Sequence, residues 1–151
     1  MIEITRLCNI SRNTFYYHFD DKYAIIQWIF TTEIEPRIAP YMVKDHWEES
    51  INTLCRIIKE EKNFYTKILQ DTGPCSLYRT LVEYYKKALM ACFAPLCDQL
   101  QIYGEGREIV ARFFSHGTID MVCDWVYSGM ERDADICTRI LNIALTAGMF
   151  R

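Results

Sequence analysis

The sequence predicts an all-α fold. Apolar residues recur at three- and four-residue spacing along nearly the whole chain, and no stretch alternates apolar with polar residues over the length of a strand. The sharpest breaks (Asn9–Ile10, Pro36 with Pro40, Gly73–Pro74 and the run YGEG) fall between periodic segments and divide the chain into helices with short connections. Half of the 151 residues are hydrophobic, enough for a core, and there is no internal repeat.

In chain order, EITRLCNIS reads as the end of a helix. Ile4, Leu7 and Cys8 form its apolar stripe, Asn9 takes the left-handed conformation that stops it, and Ile10 plugs the turn. Ser11 is the expected N-cap of the next helix, with no capping box because Thr14 stands where Glu or Gln would be needed. In that helix Phe15 and Phe19 lie four apart and anchor one face, while Thr14, Tyr16, Tyr17 and His18 point sideways or outward. Helix, tight turn and capped helix make a helix-turn-helix arrangement.

The stretch ITRLCNISRNTFYYHFDDK resembles the DNA-binding signature of TetR-type transcriptional regulators. The resemblance implies that Arg12, Asn13, Thr14 and Tyr17 face base edges or the sugar-phosphate chain in the major groove, that Tyr16, His18 and Lys22 hold phosphates, and that Phe15 and Phe19 are structural. The chain departs from the pattern at Asn9, where the family has Gly, and at Asp20 and Asp21. From Met1 to Lys22, Arg6, Arg12 and Lys22 are offset by Glu3, Asp20 and Asp21, so the segment has little attraction for phosphate. The family also places a helix ahead of the point where this sequence begins. The expectation is an N-terminally shortened chain that binds operator DNA weakly.

Beyond Lys22, Asp21 caps a helix carrying Ile25, Ile26, Ile29 and Phe30, which Pro36 and Pro40 are expected to end in an extended connector. Helices follow at about 45–60, with Trp47, Ile51, Leu54, Cys55 and Ile58 on one side, and at about 64–70. Ser76 caps a long helix that Pro95 should kink or split near its end. A helix over 107–130 is apolar around more than one face, with Gly117 and Gly129 allowing close approach and termination, and a last helix covers about 134–148. The segments NFYTKILQDTG and FFSHGTIDMVCDWVYSGM are similar, more loosely, to the C-terminal domain of regulators related to the dihydroxyacetone kinase operon regulator.

These readings divide the chain into a partial helix-turn-helix DNA-binding domain, 1–22, and an antiparallel helical effector-binding and dimerisation domain, 23–151. Trp47, Phe64, Tyr78, Tyr85 and Phe93 are the candidate lining of an apolar pocket for a small, mostly uncharged effector. Phe114, Met121, Trp125, Ile140 and Ala144 are the candidate homodimer contacts, since the matching helices of TetR-type proteins form a four-helix bundle with a symmetry mate. The implied function is a ligand-responsive transcriptional regulator, a repressor by family default. The alternative is a sensor or interaction module with impaired DNA binding that acts through a protein partner.

Composition narrows the classes. A net charge of −3 excludes a general nucleic-acid binder, so DNA contact must be local and accumulate through a dimer. Neither a signal peptide nor a bilayer-length apolar run is present, which points to a cytoplasmic protein without membrane partners. The seven cysteines include no Cys-x-x-Cys; Cys8, Cys55, Cys92 and Cys123 fall on apolar helical faces as reduced thiols, and Cys92, Cys97 and His116 match no zinc spacing, so no metal or other cofactor is expected. Without a Gly-rich phosphate loop, a helical His pair or a nucleophile elbow, the chain does not read as an enzyme.

Overall fold

In a computed structural model, which describes residues 5–6, 8–43, 46–71, 73–132 and 139, all regular structure is helical. The order is α1 (Arg12–His18), α2 (Lys22–Ile29), a π-helical turn (Phe30–Ile34), α3 (Glu35–Ile38), a 3-10 turn (Ala39–Tyr41), α4 (Trp47–Glu60), α5 (Lys62–Leu69), α6 (Leu77–Gln99) and α7 (Glu105–Tyr127). The expected last helix lies outside the described residues, and with it Ile140 and Ala144.

The predicted caps form. Ser11 Oγ accepts from the Thr14 N–H at 3.0 Å, Asp21 Oδ1 accepts from the N–H groups of Tyr23 and Ala24 at 2.7 and 2.9 Å, and Ser76 Oγ accepts from Arg79 N–H at 3.4 Å. Asn9 has φ of 52°, and its turn is a Schellman motif: Ile10 N–H donates to Thr5 O at 3.0 Å and Asn9 N–H to Arg6 O at 3.3 Å. The same pair of bonds ends α6, with Gln101 in the left-handed region, and α7, with Gly129 there. Ile10, expected to plug its turn, is instead 39% exposed and lines a shallow cleft with Thr5, Arg6 and Arg12. Cys8 is likewise exposed rather than on a buried face.

Pro36 does not force the extended connector that the sequence suggests. The helical path continues, because the chain widens by one residue at the π turn, where Glu35 N–H bonds to Phe30 O, and Pro36 falls in the first turn of α3, where no intrahelical N–H is required. Thr31 Oγ1 donates to the carbonyls of Gln27 and Trp28, and Thr32 Oγ1 to that of Trp28, at 2.8–3.1 Å, adding side-chain bonds to the backbone ladder just before the π turn. Phe30, Ile34 and Ile38 thereby stay in line, all buried.

Their partners are α4 and the α6–α7 hairpin. α4 buries Ile51, Leu54, Cys55, Ile57 and Ile58, and Ser50 reaches the buried Tyr85 hydroxyl at 2.8 Å. α6 and α7 run antiparallel, with Phe93 against Phe114 at 5.0 Å between ring centroids and Tyr78 bonded to His116 and Asp120. Pro95 neither splits α6 nor ends it, since the helix runs on to Gln99. Gly117 faces open space, where an added Cβ meets nothing within 4 Å, so it serves no close approach within the described residues.

Ile34 is fully buried at the centre of this arrangement. Ile34→Ala should cost about 2–5 kcal/mol, seen as a lower denaturation midpoint at unchanged m-value. A loss below about 1 kcal/mol would mean that the line through the π turn does not support the core.

Candidate nucleic-acid interface and adjoining cleft

α1 is a short helix with one buried residue, Phe15, 2% exposed. Phe15 packs edge-on against Tyr16, with ring centroids 5.5 Å apart, and lies 5.9 Å from Phe19, which in turn meets Trp28 of α2. This apolar contact orients the helix, and the Ser11 cap starts it. Arg12, Asn13, Thr14, Tyr16, Tyr17 and His18 are all exposed, Tyr17 at 85%. The two structural Phe and the outward polar set are therefore placed as the spacing predicts. Thr14 is partly engaged, its hydroxyl lying 2.8 Å from Ser11 Oγ, and the Tyr17 and His18 rings meet edge to face.

Lys22 has a different setting. Its ammonium donates to Asp71 Oδ2 at 2.9 Å and sits 4.6 Å from the centre of the Tyr23 ring. The hydrogen bond to Asp71 raises the Lys22 pKa, and the same bond, followed by the Gly73 N–H, lowers that of Asp71, so both shifts favour the ion pair. Sequence reasoning missed Asp71 as a partner because the two residues are 49 apart and no local pattern joins them.

Between α2 and the first half of α6 lies a cleft of about 780 Å³. Tyr23, Ala24 and Gln27 form one wall, and Arg79, Glu83 and Lys87 the other; Phe30, Val82 and Tyr84 are its apolar part. Asp20 and Asp21 stand at one edge, Pro74 and Cys75 at another, and His116 reaches in from α7. Glu83 is paired with Lys86 at 2.7 Å, whereas Arg79 and Lys87 have no ion-pair partner among the described residues. The signal available in the sequence was the four-residue spacing of Arg79, Glu83 and Lys87, which aligns them on one helical face.

The five residues expected to line a pocket do not surround this cleft. Tyr85 is buried against Ser50, Phe93 packs on Phe114, Trp47 lies against the core, and Phe64 is 41% exposed. Neighbouring helical residues point about 100° apart, and it is Tyr84, beside Tyr85, that reaches the cleft. Tyr78 touches it indirectly. Its hydroxyl donates to Asp120 Oδ1 at 2.8 Å, and with that proton committed its oxygen accepts from His116 Nδ1–H at 2.9 Å. In a neutral ring, His116 Nε2 is then the nitrogen with the free lone pair.

The candidate dimer residues of α7 face inward in this fold. Phe114 and Trp125 are 7% and 4% exposed, and the Trp125 indole N–H donates to Arg132 O at 2.8 Å; Met121 packs on the core. They belong to the inner face of α7, because that face meets α6. The apolar residues left outward on α7 are Ile109, Phe113 and Tyr127, with Phe113 70% exposed.

Burial and the Asp120 bond push the Tyr78 pKa from 10.0 up to about 12. The unfolded chain releases this proton near pH 10 and the folded chain near 12, so the native state holds the extra proton across that window and stability falls as pH rises through it. Tyr78→Phe should cost about 0.5–1.5 kcal/mol at neutral pH and flatten the decline between pH 10 and 12, read from denaturant unfolding at stepped pH. An unaltered slope would count against the phenol–carboxylate bond.

A search of curated proteins finds no match to the chain. Residues 45–147, well over half of the sequence and all of α4 to α7, match the family described as the transcriptional regulator C-terminal region, TetR_C_8. No helix among the described residues is long and apolar enough to cross a membrane. An all-helical body behind an exposed, Phe-anchored helix agrees with that match, and the chain belongs to the TetR-type transcriptional regulators of this C-terminal family.

Proposed function

We propose that this regulator binds operator DNA through α1 as a homodimer, represses transcription, and responds to a small molecule held between α2 and α6. The observation that carries the reading is the division of labour on α1: Phe15 alone is buried, and Arg12, Asn13, Thr14, Tyr16, Tyr17 and His18 are left outward on one seven-residue helix. Arg12 has the donors for a guanine edge, and the Tyr16 and His18 side chains suit phosphate oxygens.

A two-fold partner is needed to accumulate affinity over two half-sites. Ile109 and Phe113, four apart and outward on α7, are the surface that supports it. The cleft favours a more polar effector than the sequence suggested, because Arg79, Lys87, Glu35 and Asp20 ring its aromatic part. A ligand that contacts both α2 and α6 would act on the orientation of α1, provided it binds one orientation better than the other.

Two observations favour a second reading, a partner-binding module with impaired DNA affinity. The charges of residues 1–22 cancel, and Lys22 is already paired with Asp71. Binding to DNA lying upstream of the chain's own coding sequence, measured at two salt concentrations, separates the two. Tyr16→Ala should weaken binding to every sequence, whereas Arg12→Ala should cost about 1–3 kcal/mol on the operator and blur the preference at one position. A folded protein with no salt-sensitive DNA binding would favour the partner reading.

The dimer has its own measurement. Phe113→Glu should convert a micromolar dimer to a folded monomer in sedimentation, while Phe114→Glu, on the inner face, should unfold the chain. A wild-type monomer at high concentration would remove the two-fold geometry on which operator binding depends.

A further inference from the structure

Lys22 opens α2, just beyond the C-terminal end of α1, and is one of three basic residues in the first 22. The protein brings a carboxylate to it from a distant loop. Asp71 spends one oxygen on that loop, accepting from Gly73 N–H at 2.9 Å, and presents the other to Lys22 at 2.9 Å. The contact is close at Gly73, where an added Cβ would stand 2.7 Å from Tyr23 Oη and 3.0 Å from Asp71 Oδ1 and would have to displace the ends of those side chains. Tyr23, Gly73 and Asp71 thus form a fitted contact around the cation. Both partners keep access to water, with side chains 52% and 35% exposed.

We infer that Asp71 is an autoinhibitory latch, holding the Lys22 ammonium that would otherwise face a DNA phosphate. The inference rests on the DNA-binding reading above. Carboxylate and phosphate oxygens compete for the same donors, so duplex binding exchanges one anionic partner of Lys22 for another. Because the pair is solvent-accessible, the exchange leaves no buried charge stranded. In a segment where three cations just balance three carboxylates, withdrawing one cation leaves a net negative charge facing DNA.

A phosphate contact carries no sequence information, so a mixed-sequence duplex of about 30 base pairs, long enough for two half-sites, is a sufficient probe by fluorescence anisotropy. Asp71→Asn keeps an oxygen to accept from Gly73 N–H while removing the charge. It should bind more tightly than the wild type by up to about fivefold per subunit, the range that an exposed ion pair allows. Asp71→Ser, which also retains an acceptor, should tighten binding in the same direction. Lys22→Ala should weaken binding and cancel the effect of Asp71→Asn, since paired residues are not additive. If Asp71→Asn and Asp71→Ser bind no better than the wild type, or if the gain survives in the Lys22→Ala background, the latch is overturned and DNA binding stands. If wild type and variants, all folded by circular dichroism, show no salt-sensitive binding, the latch falls together with the DNA-binding reading.

Discussion

Keeping Phe30, Ile34 and Ile38 in one line is the constraint on which the arrangement depends. These three residues carry the path from α2 into the core, and a regular helix would have met Pro36 with an acceptor that no N–H could satisfy. The π turn resolves this locally: it adds a residue to the register, and the hydroxyls of Thr31 and Thr32 donate to carbonyls on the side where the ladder is disturbed. Burial of each large apolar side chain contributes about 1.5–3 kcal/mol, which outweighs the poorer hydrogen-bond geometry of a single π turn. The Arg37 guanidinium then grips both carboxylate oxygens of Glu60 at 2.8 and 2.7 Å, tying α3 to the end of α4.

The position of the N-terminal helices follows from that path. α1 has one buried side chain of its own, and among the described residues Phe19 against Trp28 ties its end to α2. α2 is in turn held at its start by the Lys22–Asp71 pair and by Tyr23 against Gly73, and at its end by Phe30 against Tyr84. The cleft between α2 and α6 lies among these contacts and includes Tyr23, Phe30 and Tyr84 themselves. Among the described residues α1 buries only Phe15, whereas α6 and α7 contribute many side chains to the core, a gradient of local stability along the chain.

Much of the fold was legible because its signals are local. The caps at Ser11, Asp21 and Ser76, the left-handed Asn9 and the stripe Ile51, Leu54, Cys55 and Ile58 each need only a few neighbouring residues to specify them. The outward set on α1 was legible for the same reason, since Phe15 and its polar neighbours are sorted by helical period alone. Pro36 misled because breaker rules describe isolated helices, whereas here a change of register at the π turn absorbs the proline.

Taken alone, the sequence determined most of the helical segments among the described residues, where most of them begin, and that one short helix turns polar side chains outward, since these are consequences of backbone stereochemistry and the 3.6-residue period. Tertiary structure decided which apolar face of α7 is inner, leaving Phe113 outward and Phe114 inward, and which of Tyr84 and Tyr85 meets the cleft. It also decided that Asp71 reaches Lys22 across 49 residues of chain. The physical reason is common to all three: a helix with apolar residues on several faces leaves its rotation undetermined until a neighbour packs against it, and a pairing between distant residues exists only after the intervening helices have set the distance.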